Sequence, residues 1–210
     1  MFYPDCDGKT AHAVFSLEFD SKVAPAPVTR REESETFEKG SILICVDDDK
    51  GPRLLYKSLA QKLGANNSMI LGEFYAEVDC LVETVLKAER DHGPRNVICI
   101  FDQNMDRYSE GAILGTDVTQ TLRASGFKGL VFIRSANDDM ASRVTYKNAG
   151  ADGTLNKGTT PMADLVATTM AVYRQFLIMG PGSEETHEYH MSPFLDPRSD
   201  LPLNLASLTL

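Results

Sequence analysis

From residue 41 onward the hydrophobic positions fall into two rhythms that alternate. Short unbroken apolar runs make up the first: Ile42 to Val46, Met69 to Leu71, Val97 to Phe101, Leu130 to Ile133 and a weaker Gly153-Thr154-Leu155. Runs of this length without polar alternation predict strands buried on both faces, and therefore a parallel sheet covered by helices. Between them the apolar residues recur at helical spacing. Leu55, Leu59 and Leu63 stand four apart, with Pro52 near the start and Gly64 at the end. Val78, Leu81, Val82, Val85 and Leu86 follow the next amphipathic pattern, which His92-Gly93-Pro94 closes. Three more helices are predicted over Thr116 to Ala124, over Asp138 to Asn148, and along the face of Met162, Leu165, Val166, Thr169, Met170 and Tyr173. Five βα units in a row predict a doubly wound α/β sheet with right-handed crossovers.

The flanks break this rhythm. Phe15, Leu17 and Phe19 alternate as in a strand, after a turn at Asp7-Gly8-Lys9. Ala24-Pro25-Ala26-Pro27 and the charged run Arg30 to Glu35 read as a linker. After Met179 the chain turns to Pro, Ser and charge. The expected organisation is an extension and linker over 1–40, one domain over 41–178, and a disordered tail over 179–210. His187 and His190 are three apart but lie among Pro181, Pro193 and Pro197, so they belong to the tail rather than to a metal site.

Composition narrows the function classes. With 210 residues, 42% hydrophobic and 24% charged, the chain can bury one core of ordinary size. A net charge of -9 argues against nucleic acid as a partner, because phosphate backbones need a basic face. No apolar run approaches the ~18 residues of a membrane span. Met1 to Lys22 lacks the basic start and apolar middle of a signal peptide. The expectation is a cytoplasmic protein, or the cytoplasmic part of a larger one, with no membrane partner. Cys6, Cys45, Cys80 and Cys99 are widely spaced, and Cys45 and Cys99 fall inside strands as small buried residues.

The chemistry collects at the carboxyl ends of the strands, where open parallel sheets bind ligands. Strand one ends in Asp47 and Asp48, strand three in Asp102, strand four in Ser135, and Lys157 follows strand five. Singly, each has an ordinary reading: a helix cap, a turn, a solvated lysine. Together they place three carboxylates in one crevice. Such a group tolerates its own repulsion only with a cation, and a hard oxygen-ligand ion such as Mg²⁺ fits. A carboxylate held there can attack phosphorus and form an acyl phosphate. The Lys157 ammonium and the Ser135 hydroxyl can then meet the phosphoryl oxygens.

With Asp47-Asp48, Asp102-Gln103-Asn104-Met105, Ser135-Ala136 and Gly150-Ala151-Asp152-Gly153 leading to Lys157, residues 41–177 resemble the receiver domain of two-component response regulators. The resemblance implies a flavodoxin-like (βα)5 sheet of strand order 2-1-3-4-5. It makes Asp102 the phosphoacceptor, served by a histidine kinase or histidine phosphotransfer protein. Asp47, Asp48 and Asp102 would hold Mg²⁺ with the backbone carbonyl of Asn104, Ser135 would be the switch hydroxyl, and Lys157 would bind phosphate. Asn104 and Asn137 would tune the lifetime of the acyl phosphate. Signalling would run through protein contacts on the last two helices and strand five, and a homodimer through that face is the assembly it admits. Five departures stand out: Gly158 where Pro is usual, Thr154 where an aromatic switch residue is common, Asp106 in place of a frequent Pro, extra residues before Gly115, and a long segment between the first and third strands.

Asp7 to Thr10 with Phe15 to Phe19 is similar to the closing strand of histidine-kinase ATPase domains, which would make this chain the C-terminal receiver of a hybrid kinase. No ATP-binding motif precedes it, so no enzyme activity is expected beyond gaining and losing the chain's own phosphoryl group. There are three rival readings, two of which use the same residues differently. A pseudo-receiver would bind partners without ever taking phosphate. An aspartyl-phosphate hydrolase would need a second Asp where Asn104 stands, and a cap domain. A dinucleotide fold would need a G-x-G-x-x-G after strand one.

Overall fold

In the computed structural model, residues 36–180 are described. The predicted strand over Phe15 to Phe19, the linker and the tail histidines lie outside them. Five strands form one parallel sheet: β1 (Ile42–Val46), β2 (Asn67–Leu71), β3 (Val97–Asp102), β6 (Leu130–Ser135) and β7 (Gly153–Asn156), in the order β2-β1-β3-β6-β7. This is the flavodoxin-like order 2-1-3-4-5. Six helices cover it: α1 (Lys50–Lys62), α2 (Tyr75–Asp79), α3 (Leu81–His92), α4 (Gly115–Ala124), α5 (Met140–Asn148) and α6 (Met162–Met179).

Burial on both faces explains the apolar runs of β1, β3 and β6, whereas the edge strands β2 and β7 are only partly buried, against the expectation for all five. Leu43, Cys45, Ile98, Ile100 and Phe132 pack toward α1 and α6, through Tyr56, Leu59, Leu165 and Tyr173. Their neighbours Ile44, Val46, Cys99, Phe101, Val131 and Ile133 pack toward the other face, with Leu81, Val85, Val118, Leu122 and Tyr146. Each fully buried large side chain contributes about 1.5–3 kcal/mol. Burial raises the thiol pKa of Cys45 and Cys99, which act as core residues. Phe37, ahead of β1, closes the lower edge: its amide donates to the Leu63 carbonyl at 2.8 Å and its ring meets Tyr173 at 4.6 Å.

Strand β2 starts two residues ahead of its apolar run, at Asn67, and three further differences from the sequence expectation are larger or touch the site. The helix expected across Val78 to Leu86 is two helices, separated at Cys80. Glu77 Oε2 accepts from the amides of Gly72 and Glu73, both at 2.9 Å, and ties the first turn to the end of β2. The apolar spacing continues through the break, so periodicity does not register it. The loop after β3 contains a small antiparallel hairpin of β4 (Asn104–Met105) and β5 (Ile113–Leu114). Strands this short carry no period-two signal. Finally, β6 runs two residues further than its apolar run, so that Arg134 and Ser135 are buried strand residues.

Candidate functional site

The parallel register carries β1 and β3 to the same level. Val46 pairs with Phe101, so the next residues, Asp47 and Asp102, emerge side by side at the carboxyl ends. Both are buried, Asp47 completely. Two glycines make room behind them. A Cβ on Gly72, which has φ +103°, would stand 2.5 Å from the Asp47 carbonyl oxygen, and a Cβ on Gly115 would overlap the Asp102 carbonyl. Arg53 adds a clamp, donating to the carbonyls of Asp47 at 3.0 Å and Gly72 at 3.2 Å.

Carboxylate oxygens of Asp47, Asp48 and Asp102 all lie within 4.8 Å of one another. The Lys157 ammonium, carried past β7, lies 2.6 Å from Asp102 Oδ2 and 3.2 Å from Asp47 Oδ2. One ammonium therefore serves two buried carboxylates beside a third. Burial pushes the Asp102 carboxyl pKa up; Lys157 pulls it down, while the charge of Asp47 raises it further. The donor set is all oxygen, anionic and only partly neutralised, which fits a hard divalent cation. The Asn104 amide donates to Asp102 Oδ1 at 3.3 Å, which turns the start of the hairpin back over the acidic cluster.

The hairpin contributes groups that the sequence reading passed over. The Arg107 amide donates to Asp48 Oδ2 at 2.8 Å, and its guanidinium pairs with Asp49 Oδ2 at 2.8 Å. Asp49 is itself the N-cap of α1, accepting from the Gly51 amide. The Tyr108 hydroxyl donates to the Gly72 carbonyl at 2.8 Å, and burial pushes its pKa up to about 12. The hairpin is thus strapped over the acidic ends of β1 and β2.

Ser135 ends β6, one residue past Arg134, which pairs with Asp102 in the register. Its hydroxyl oxygen accepts from the Tyr146 hydroxyl at 2.9 Å and from the Asn137 amide at 3.1 Å. Tyr146 comes from α5, a helix legible only as polar, so nothing in the sequence pointed to it. Arg134 is buried with its guanidinium carbon 5.4 Å from the Tyr56 ring centroid, a cation–π contact beneath the site. A groove of about 620 Å³ lined by Lys62, Met162, Val166, Met170 and Arg174 shares no residue with the acidic cluster.

No sequence-family model matches the chain, and no curated protein matches it. Solved structures do. The signal receiver domain of a protein described as a Luxo repressor, from Vibrio parahaemolyticus, is 15% identical with a TM-score of 0.51, covering 67% of this chain and 98% of that one. The chain has the receiver fold. The chemotaxis protein CheY4 of Vibrio cholerae is 19% identical at a TM-score of 0.48, covering 63% of this chain and 98% of its own. The receiver domain of Francisella response regulator 1452 is 18% identical at 0.47, covering 64% and 98%. The likeness is one of fold, and the chemistry of the site rests on its own geometry.

Within this receiver fold the departures have structural consequences. Thr154 occupies mid-β7, paired with Ile133, and an aromatic hydroxyl reaches Ser135 from Tyr146 of α5. No cis peptide occurs among the described residues, the Lys157-Gly158 bond included. The loop after β7 is shaped by Asn156, whose Oδ1 accepts from the Gly158 amide while its Nδ2 donates to Asp138 at 3.2 Å. No described helix is long and apolar enough to cross a membrane.

Proposed function

We propose that the chain is a phosphoacceptor receiver module of a His-to-Asp phosphorelay, modified on Asp102. The observation that carries this reading is the buried Asp102 carboxylate flanked by Asp47 and Asp48, with the Lys157 ammonium 2.6 Å away. In the step, an Asp102 oxygen attacks phosphorus as the bond to a donor imidazole nitrogen breaks, and the electron pair stays on that nitrogen. Lys157 meets one phosphoryl oxygen and Ser135 donates to another. Asp47, Asp48, Asp102 and the Asn104 carbonyl would hold Mg²⁺, which supplies charge neutralisation for the phosphoryl oxygens when bound. A partner histidine kinase or histidine phosphotransfer protein supplies the phosphoryl group, and the output is a change of protein contacts. The exposed Met140 and Val144, one turn apart on α5, support an apolar contact patch on that helix, a homodimer included.

The test is incubation with acetyl phosphate, with and without Mg²⁺, of the native chain and Asp102→Asn, read by intact-protein mass. The expected result is one added phosphoryl group on the native chain only, and only with Mg²⁺. An unmodified native chain would leave the pseudo-receiver reading, a binding module that never takes phosphate, which Gly158 and Thr154 favour.

A further inference from the structure

The hydroxyl of Ser135 has one proton to give and two lone pairs to accept with. Both accepting positions are filled, by the Tyr146 hydroxyl at 2.9 Å and by the Asn137 amide at 3.1 Å. Among the described residues no acceptor takes the Ser135 proton. The hydroxyl donating the first of these bonds is itself held through its ring, because Tyr146 of α5 is buried in the core; the Asn137 carbonyl, at 3.5 Å, is the more distant of the two acceptors for its single proton. Helix α5 is fixed in turn at its start, where Asp139 caps it through the Ser142 amide at 2.9 Å. A serine saturated as acceptor can act only as donor. A phosphoryl group presents only acceptor oxygens, so the two match.

We propose that Tyr146 is a positioning residue that commits the Ser135 hydroxyl to donate toward a phosphoryl group on Asp102. The proposal rests on the phosphoacceptor reading of Asp102. Without the tyrosine hydroxyl, Ser135 keeps a free lone pair, and water can enter as a donor or turn its proton away. The ring of Tyr146 packs in the core, so Phe preserves the packing and removes only the hydrogen bond.

Beryllofluoride with Mg²⁺ is a stable probe of the phosphoryl position. Its affinity is measured by calorimetry for the native chain, Tyr146→Phe, Ser135→Ala and the double variant, with thermal unfolding recorded for each. The expected result is about tenfold weaker binding by Tyr146→Phe, at least as large a loss for Ser135→Ala, and no further loss in the double variant. Native affinity in Tyr146→Phe overturns the proposal. So does an unchanged Tyr146→Phe effect in the Ser135→Ala background, which would mean that the hydroxyl acts through the fold. No binding by the native chain overturns the phosphoacceptor reading and this proposal with it, and is thereby told apart from failure of the proposal alone.

Discussion

Asp102 is a carboxylate that the fold holds at a cost. Burial raises its pKa, and Lys157 reverses that only in part. The folded chain therefore keeps the Asp102 proton to higher pH than the unfolded chain, whose Asp titrates near ~3.9. Its stabilising contribution is full below that unfolded value and is lost as pH rises through the folded one. At neutral pH the ionised side chain burdens the fold. Asp102→Asn removes the burden, and Asp47 stays within 3.2 Å of Lys157 to keep the ammonium paired. In Mg²⁺-free buffer at pH 7, Asp102→Asn is expected to unfold on the order of 2–4 °C higher than the native chain by calorimetry. The gap should close as pH falls toward 4, and added Mg²⁺ should raise the native melting temperature more than that of the variant. A variant that melts below the native chain at pH 7 would show that the Lys157 pair outweighs burial.

At the scale of elements, the site depends on how closely strand ends and connecting loops approach. Gly72 links β2 to α2 with a positive φ, packs on the Asp47 backbone and has its carbonyl held by both Arg53 and Tyr108. A side chain there meets backbone, which cannot turn aside. Gly72→Ala is expected to lose about 2 kcal/mol in urea unfolding, from the strained φ and the overlap together. It should also weaken Mg²⁺ binding, because Asp47 must shift. Unchanged stability would mean that the β2–α2 loop can move away at little cost. The hairpin shows the same dependence from the other side: Arg107 and Tyr108 reach Asp48, Asp49 and Gly72 only because β4 and β5 fold the chain back over the site.

At the scale of the molecule, one ion pair ties the end of the sheet opposite the site. Arg123 of α4 donates to the carbonyls of Phe127 at 3.0 Å, Gly129 at 2.8 Å and Gly150 at 2.9 Å, and pairs with Asp152 at 2.7 Å. Asp152 in turn accepts from the Val131 amide at 2.7 Å. This knot joins α4, β6 and the turn into β7, the strand that delivers Lys157. Asp152→Ala strands a largely buried guanidinium and is expected to cost about 2–3 kcal/mol, discounted for its partial exposure. Chemical denaturation checks it, and a loss below about 0.5 kcal/mol would show that the three carbonyls alone satisfy Arg123.

Sequence alone determined the sheet, because a strand buried on both faces needs an unbroken apolar run, and β1, β3 up to Phe101 and β6 up to Ile133 carry one. It also determined the candidate chemistry of Asp47, Asp48, Asp102, Ser135 and Lys157, because groups that follow successive parallel strands must emerge at one edge. Tertiary structure alone decided how those groups are served. Tyr146 reaches Ser135 from a helix that spacing marks only as polar. Arg134, adjacent to a strand end, is buried against Tyr56. Arg107 covers Asp48 and Asp49 from a hairpin too short to carry a period. The break at Cys80 falls within unbroken helical spacing. Periodicity reports which face of an element is buried, and it carries no information about hydrogen bonds between residues far apart in the chain.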